Sequence, residues 1–168
     1  RGLVQGVSPP EPVVPSAPFT NDGRRVPFKP FRRCISLDPH TPFLQQDKGI
    51  TARTASRFEA GTPHHRSSFL RGTIAVRLHD MSGQPIGYCG RRLQHDEIAR
   101  WGKWRFPPRL AKAEILYNAH RALPARASGV VVVECPWGVM RLAQAGCASP
   151  VALLGTSLST HQAHWLQA

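Results

Sequence analysis

The chain has 168 residues, with 22 Lys+Arg against 10 Asp+Glu, 4 Cys, 16 Pro and 14 Gly, and a formal net charge of +12. That length predicts about one domain, and 41% hydrophobic residues supply enough core material to exclude a wholly disordered chain. Cys34, Cys89, Cys135 and Cys147 are too scattered for a disulfide scaffold or a Cys-x-x-Cys zinc site, so they read as packed thiols in a reducing, cytoplasmic setting, and no apolar run approaches the ~18–20 residues that span a bilayer.

The chain opens on Arg1 without the apolar stretch of a signal peptide, which reads as a fragment or processed product with no membrane association. Residues 1–33 hold seven prolines and few periodic apolar positions, the pattern of an extended linker or tail. Thr41-Pro42 predicts a helix start with Pro at its first position and Gly49 as its stop, and Thr51 caps a second short helix closing near Gly61. From Leu70 the pattern alternates. Ile74, Val76 and Leu78 interleave with Thr73, Ala75 and Arg77, Ser82-Gly83 turns the chain, and Ile86, Tyr88 and Gly90 continue it, predicting a β-hairpin.

Residues 91–126 carry nine basic side chains against Asp96, Glu97 and Glu114, interleaved with Trp101, Trp104, Phe106 and Tyr117. Residues 1–126 hold the whole excess, 21 basic against 9 acidic, whereas 127–168 hold only Arg141 against Glu134. Eighteen of the 22 basic residues are Arg, whose planar fork suits bidentate phosphate contacts. A polyanion, nucleic acid or nucleotide, is the partner this charge implies, with a merely solvated basic surface as the plainer reading.

The last section reads β-α-β-α. The unbroken β-branched run at 130–134 predicts a strand buried on both faces of a parallel sheet, Trp137 to Ala143 a helix ending at Gly146, 151–155 a second buried strand, and Ser159 to Gln162 the cap of a final helix. Ligands of open parallel sheets collect beyond the carboxyl ends of the strands, where Glu134 and Gly155-Thr156 fall. Glu134 reads as a magnesium or general-base carboxylate, or as an acid favoured by a helix N-terminus. Gly155-Thr156 reads as a phosphate-approach turn or as a simple strand-to-helix turn. His64-His65 and the pair His161 and His164 each lack the third ligand of a metal site.

Taken together, VVVVECPWGVMRLAQAG and VALLGTSLS resemble the first half of a Toprim domain, shared by bacterial-type DNA primases, type IA and II topoisomerases and some nucleases. RGTIAVRLHDMSGQPIGYCGRRL and KWRFPPRLAKAEILYNAHRA resemble the N-terminal half of the RNA-polymerase core of bacterial-type primases, and LDPHTPFLQQDKGITARTASRFEAG its helical entry. The resemblance covers residues 34–168 in the order of that family. It implies an α/β fold, a mixed α+β basic subdomain with a hairpin over 34–126 followed by a partial Toprim domain over 127–168.

The same resemblance implies that Glu134 is the catalytic, metal-site glutamate and that Gly155 and Thr156 form the phosphate- or metal-proximal turn. Arg91, Arg92, Lys103, Arg105, Arg109 and Lys112 become the nucleotide- and nucleic-acid-binding side chains. Leu116-Tyr117-Asn118 matches a packing block. Mg²⁺ or Mn²⁺ would be the cofactor, with single-stranded DNA template, ribonucleoside triphosphates and a replicative helicase reached through other regions as partners. The sequence departs from the pattern at Cys135, where Gly is usual, at Gly138, where an acid is frequent, and in lacking the Asp-x-Asp pair. A non-catalytic single-stranded nucleic-acid-binding remnant or accessory replication protein of a mobile element is therefore the alternative function. Unpaired bases could stack on Trp101 or Trp104, although core packing is the commoner fate of tryptophan.

Overall fold

A computed structural model describes residues 27–64 and 69–167. The prolines before residue 27, and His65 of the His64-His65 pair, lie outside the described residues. Five strands form an antiparallel sheet in the order β1 (Leu37–Asp38), β2 (Ala60–Pro63), β3 (Thr73–His79), β4 (Pro85–Arg92) and β5 (Trp104–Arg105), and two form a parallel sheet, β6 (Val131–Val133) and β7 (Pro150–Ala152). The helices are α1 (Ala52–Arg57), α2 (His95–Trp101), α3 (Ala119–Ala122), α4 (Pro136–Gln144) and α5 (Thr160–Gln167). This is the mixed α/β architecture that the sequence implies, with the hairpin, the short entry helices and the terminal β-α-β-α unit in their expected order.

Local chemistry explains the helix starts. Thr41 Oγ1 accepts the Leu44 N–H at 3.2 Å ahead of a π-type turn at Phe43–Asp47, and Thr51 Oγ1 accepts the Thr54 N–H at 3.2 Å. Before α5, Ser159 Oγ accepts from Gln162 N at 3.1 Å while Gln162 Oε1 accepts from Ser159 N at 3.0 Å, a reciprocal capping box. The Gln162 amide, 1% exposed, also donates to the carbonyls of Ile115 and Leu153 at 2.7 and 3.2 Å. One capping residue thus ties the last helix to both sheets' connecting segments.

The hairpin β3–β4 is buried on both faces. Ile74, Val76 and Leu78 face the main core, while Ala75 and Tyr88 pack with Leu70 in a separate cluster behind it. Segment 27–33 has no regular structure but lies against this sheet: the Phe31 N–H donates to the Ile86 carbonyl at 3.0 Å, and Phe28 packs on the main core. That core continues into the C-terminal unit through Trp137, Val139, Met140, Ala152 and Leu154.

Several expectations are corrected. The strand expected to be buried on both faces is an edge: Val131 and Val132 are 43% and 41% exposed, because among the described residues β6 pairs with β7 alone. The end of α1 at Gly61 is instead the start of β2, a strand hidden from sequence by its brevity and by Pro63. Glycine is required at position 61 because a Cβ would lie 2.2 Å from the Asp38 carbonyl oxygen of β1. Cys34 is exposed rather than packed; Cys89 is buried, and burial pushes its thiol well up.

Candidate functional site

The small sheet meets the large one at an aromatic seam. Trp104 of β5 lies 5.2 Å from Trp137 of α4 and 6.3 Å from Phe106, and Trp137 meets Phe43 edge-on at 5.9 Å. Cations close both ends: Lys112 Nζ sits 4.8 Å over Phe106, and Lys48 and Arg91 sit 5.1 and 5.8 Å over Phe43. Such cation–ring contacts hold a cation beside apolar surface without burying it.

A cleft of about 250 Å³ opens on this seam, lined by Trp104, Phe106, Lys112, Glu134, Cys135, Pro136, Leu154 and Gly155. It brings together Lys112, Glu134 and Gly155, candidate site residues from three separated segments. Each arrives by its own device. Glu134 follows β6, its carbonyl accepting the Leu154 N–H at 3.1 Å, and its side chain is exposed. Lys112 begins a short helical turn whose Ile115 N–H returns to the Lys112 carbonyl at 3.1 Å. Gly155 follows Leu154, which is buried at φ +60°, a left-handed geometry costly for a branched side chain. A Cβ on Gly155 would meet nothing within 4 Å, so the cleft is open above it. A second hollow of about 210 Å³ shares Lys112, Leu154 and Gly155 and continues toward Ser159.

The tie between Tyr117 and β7 fixes this geometry. Tyr117 and Ala152 exchange backbone bonds at 2.9 and 3.1 Å, and Asn118 Nδ2 donates to the Pro150 carbonyl at 2.8 Å. Leu116, Tyr117 and Asn118 are all buried, as a packing block should be.

The other sequence-predicted residues are distributed around the cleft. Thr156 is exposed beside Gly155. Arg91 donates to the Arg92 carbonyl, and burial lowers its basicity against the opposing influence of nearby Cys135. Arg92 donates to the carbonyls of Trp101, Gly102 and Trp104 at 3.1, 2.8 and 3.0 Å. Arg105 stacks 4.7 Å over Phe69, while Lys103 and Arg109 are exposed. Arg91, Arg92 and Arg105 therefore hold local structure as well as positive charge, a role that linear sequence could not reveal.

Two departures from the family pattern have structural readings. Cys135 caps α4 with φ −138° and ψ 162°, extended backbone that any residue adopts, so glycine is not needed there. At Gly138 a Cβ would lie 3.1 Å from the Val133 side chain, leaving little room for an acidic residue. Among the described residues, no group of three His, Cys, Asp or Glu could hold a metal, and Glu134 is the one carboxylate lining the cleft. These residues alone do not fit a Mg²⁺ or Mn²⁺ ion, which needs several oxygen ligands.

A second charged cluster escaped sequence reading because its members are far apart in the chain. Glu59 pairs with Arg77, with His79 Nε2 at 3.3 Å and with Arg121 at 3.5 Å, and the His79 and His120 rings lie 4.8 Å apart. Burial, then Arg121 and His79, lower the His120 pKa to about 4, and burial outweighs Glu59 to lower that of His79.

No protein-family model matches the chain. A DNA primase of Mycoplasma pneumoniae is 32% identical over 95 residues, 56% of this chain and 15% of that protein. The zinc-binding and RNA-polymerase domains of the Aquifex aeolicus primase superpose with a TM-score of 0.59 at 24% identity, over 73% of this chain and 38% of that one. A DnaG primase catalytic domain bound to single-stranded DNA superposes with a TM-score of 0.59 at 22% identity, over 77% of this chain and 52% of that one. The fold is that of part of a primase catalytic core. In sequence as well as fold, the chain is similar to bacterial DNA primases, and it spans about 15% of the length of the curated relative named above.

Proposed function

We propose that this chain is part of a primase-type RNA-polymerase core that makes RNA primers on single-stranded DNA, its β6–α4–β7–α5 unit being the start of a Toprim domain. The observation that carries this reading is the cleft joining Lys112, Glu134 and Gly155 to Trp104 and Phe106, at the strand ends where open parallel sheets bind ligands.

In this reading Lys112 balances the phosphate charge of the single-stranded template and of the incoming nucleotide at the junction of the two hollows. Gly155 and Thr156 let phosphate approach the backbone. Lys103 and Arg109 meet the template's phosphates, while Arg91, Arg92 and Arg105 add positive potential and hold the β4–β5 edge. Glu134 is the acid-base carboxylate at the cleft mouth.

The single carboxylate of the cleft favours a second reading, an accessory protein that binds single-stranded nucleic acid without catalysis. Template-dependent ribonucleotide incorporation by the whole protein separates them. The first reading predicts that Glu134→Gln lowers incorporation by about 100-fold or more, the scale of acid-base catalysis, with single-strand binding retained. Incorporation unchanged by Glu134→Gln would overturn the assigned role, and no incorporation with binding intact would establish the accessory reading.

A further inference from the structure

Helix α2 links β4 to β5, and none of its seven residues is buried. It ends in Trp101, which is 62% exposed, although tryptophan gains more than most side chains from leaving water. Its exposure is not a matter of looseness. The Arg92 guanidinium donates to the carbonyls of Trp101 and Gly102 at 3.1 and 2.8 Å, and to that of Trp104 at 3.0 Å beyond them. A charged donor on the last carbonyls of a helix satisfies groups that have no partner within it. Gly102, at φ +75°, returns its N–H to the Ile98 carbonyl and turns the chain back into the sheet.

The indole is thus presented by an anchored backbone rather than by its own packing. The Arg100 guanidinium lies 4.9 Å over its ring, and exposed Lys103 follows two residues later. A flat aromatic surface flanked by two cations is complementary to a nucleotide, whose base has a π-face and whose phosphate is anionic.

We propose that Trp101 is a stacking platform for an unpaired base of single-stranded DNA, pre-positioned by Arg92, with Arg100 and Lys103 engaging the adjoining phosphates. This inference rests on the proposed function and assigns it a contact outside the cleft. Anchoring the helix end before binding reduces the ordering that binding must impose. Stacking carries no counterion release, whereas each phosphate contact contributes about −0.7 to the slope of log K against log salt on single strands.

The test titrates the full chain with an oligothymidylate at several salt concentrations, following tryptophan emission and an independent label on the DNA. Trp101→Ala should weaken binding about 5- to 150-fold, the range for one base–aromatic stack, with the salt slope unchanged. Trp101→Phe should keep most of the affinity and lose most of the emission quenching. Arg100→Gln should reduce the steepness of the slope by about 0.7. Binding by Trp101→Ala within twofold of the unsubstituted chain, with its salt dependence preserved, would overturn the stacking role and leave the proposed function standing. An unsubstituted chain that bound no single-stranded DNA would overturn both. Because Trp101 is exposed, the circular dichroism of Trp101→Ala should match that of the unsubstituted chain.

Discussion

The antiparallel and parallel sheets are stabilised in different ways. β3 and β4 pair over seven registered positions and are covered on both faces, one by the main core and the other by Leu70 with Ile35, Leu37 and Phe69. The parallel sheet has two three-residue strands, one of them exposed at the edge, and depends on neighbours: Trp137 against Trp104, Tyr117 against Ala152, and Gln162 against Ile115. The charge divides along the same line, since the first 126 residues carry the whole net charge of +12. The two regions share one core, and the neutral region contributes Glu134 and Gly155 where it leans on the basic one. The candidate site lies at this seam because there a carboxylate and a strained turn from one region meet cations and aromatic rings from the other.

The largest expected effect comes from cutting the seam. Trp137 is 6% exposed, and its Nε1 is buried without a hydrogen-bond partner. Trp137→Ala should destabilise the fold by about 3–5 kcal/mol in urea titrations. Trp137→Phe, which keeps an aromatic ring and removes the unpaired N–H, should cost far less. A small effect of Trp137→Ala would show that the parallel unit stands without its neighbour.

Acid should act on the other region, at the Glu59, Arg77, His79, Asp80, His120 and Arg121 cluster. His120 is neutral in the folded chain down to about pH 4 but protonates near 6.5 when unfolded. The unfolded state binds more protons in that interval, so stability is full above 6.5 and is lost as pH falls toward 4. The lowered His79 acts in the same direction. The expected loss from His120 is about 1–2 kcal/mol after allowing for solvent screening of a half-buried ring. His120→Gln should flatten the stability profile between pH 6.5 and 4, and an unchanged profile would contradict the assignment.

The same contrast explains what sequence could disclose. The hairpin was legible because Ile74, Val76 and Leu78 alternate around a Ser82-Gly83 turn, and the helix starts because Thr41, Thr51 and Ser159 are local caps. Strand β2 was not, since what makes it a strand is the approach of Asp38 to Gly61. Helix α2 was not, because a helix that buries nothing needs no apolar period. In the site, Glu134, Gly155 and Lys112 were legible through their motifs. Their meeting with Phe106, the anchoring of Trp101 by Arg92, and the Glu59 cluster arise from contacts between distant segments, and those leave no local pattern.

In the proposed function the seam cleft holds phosphates of single-stranded DNA through Lys112. This role is tested most directly by comparing Lys112→Gln with Arg53→Gln, an exposed position on α1 outside the residues that line the cleft. Affinity for a single-stranded oligonucleotide would be measured from low to physiological salt. The cleft account predicts that Lys112→Gln weakens binding and makes log K against log salt shallower by about 0.7, while Arg53→Gln changes neither. Equal affinities and equal slopes for the two variants would contradict it.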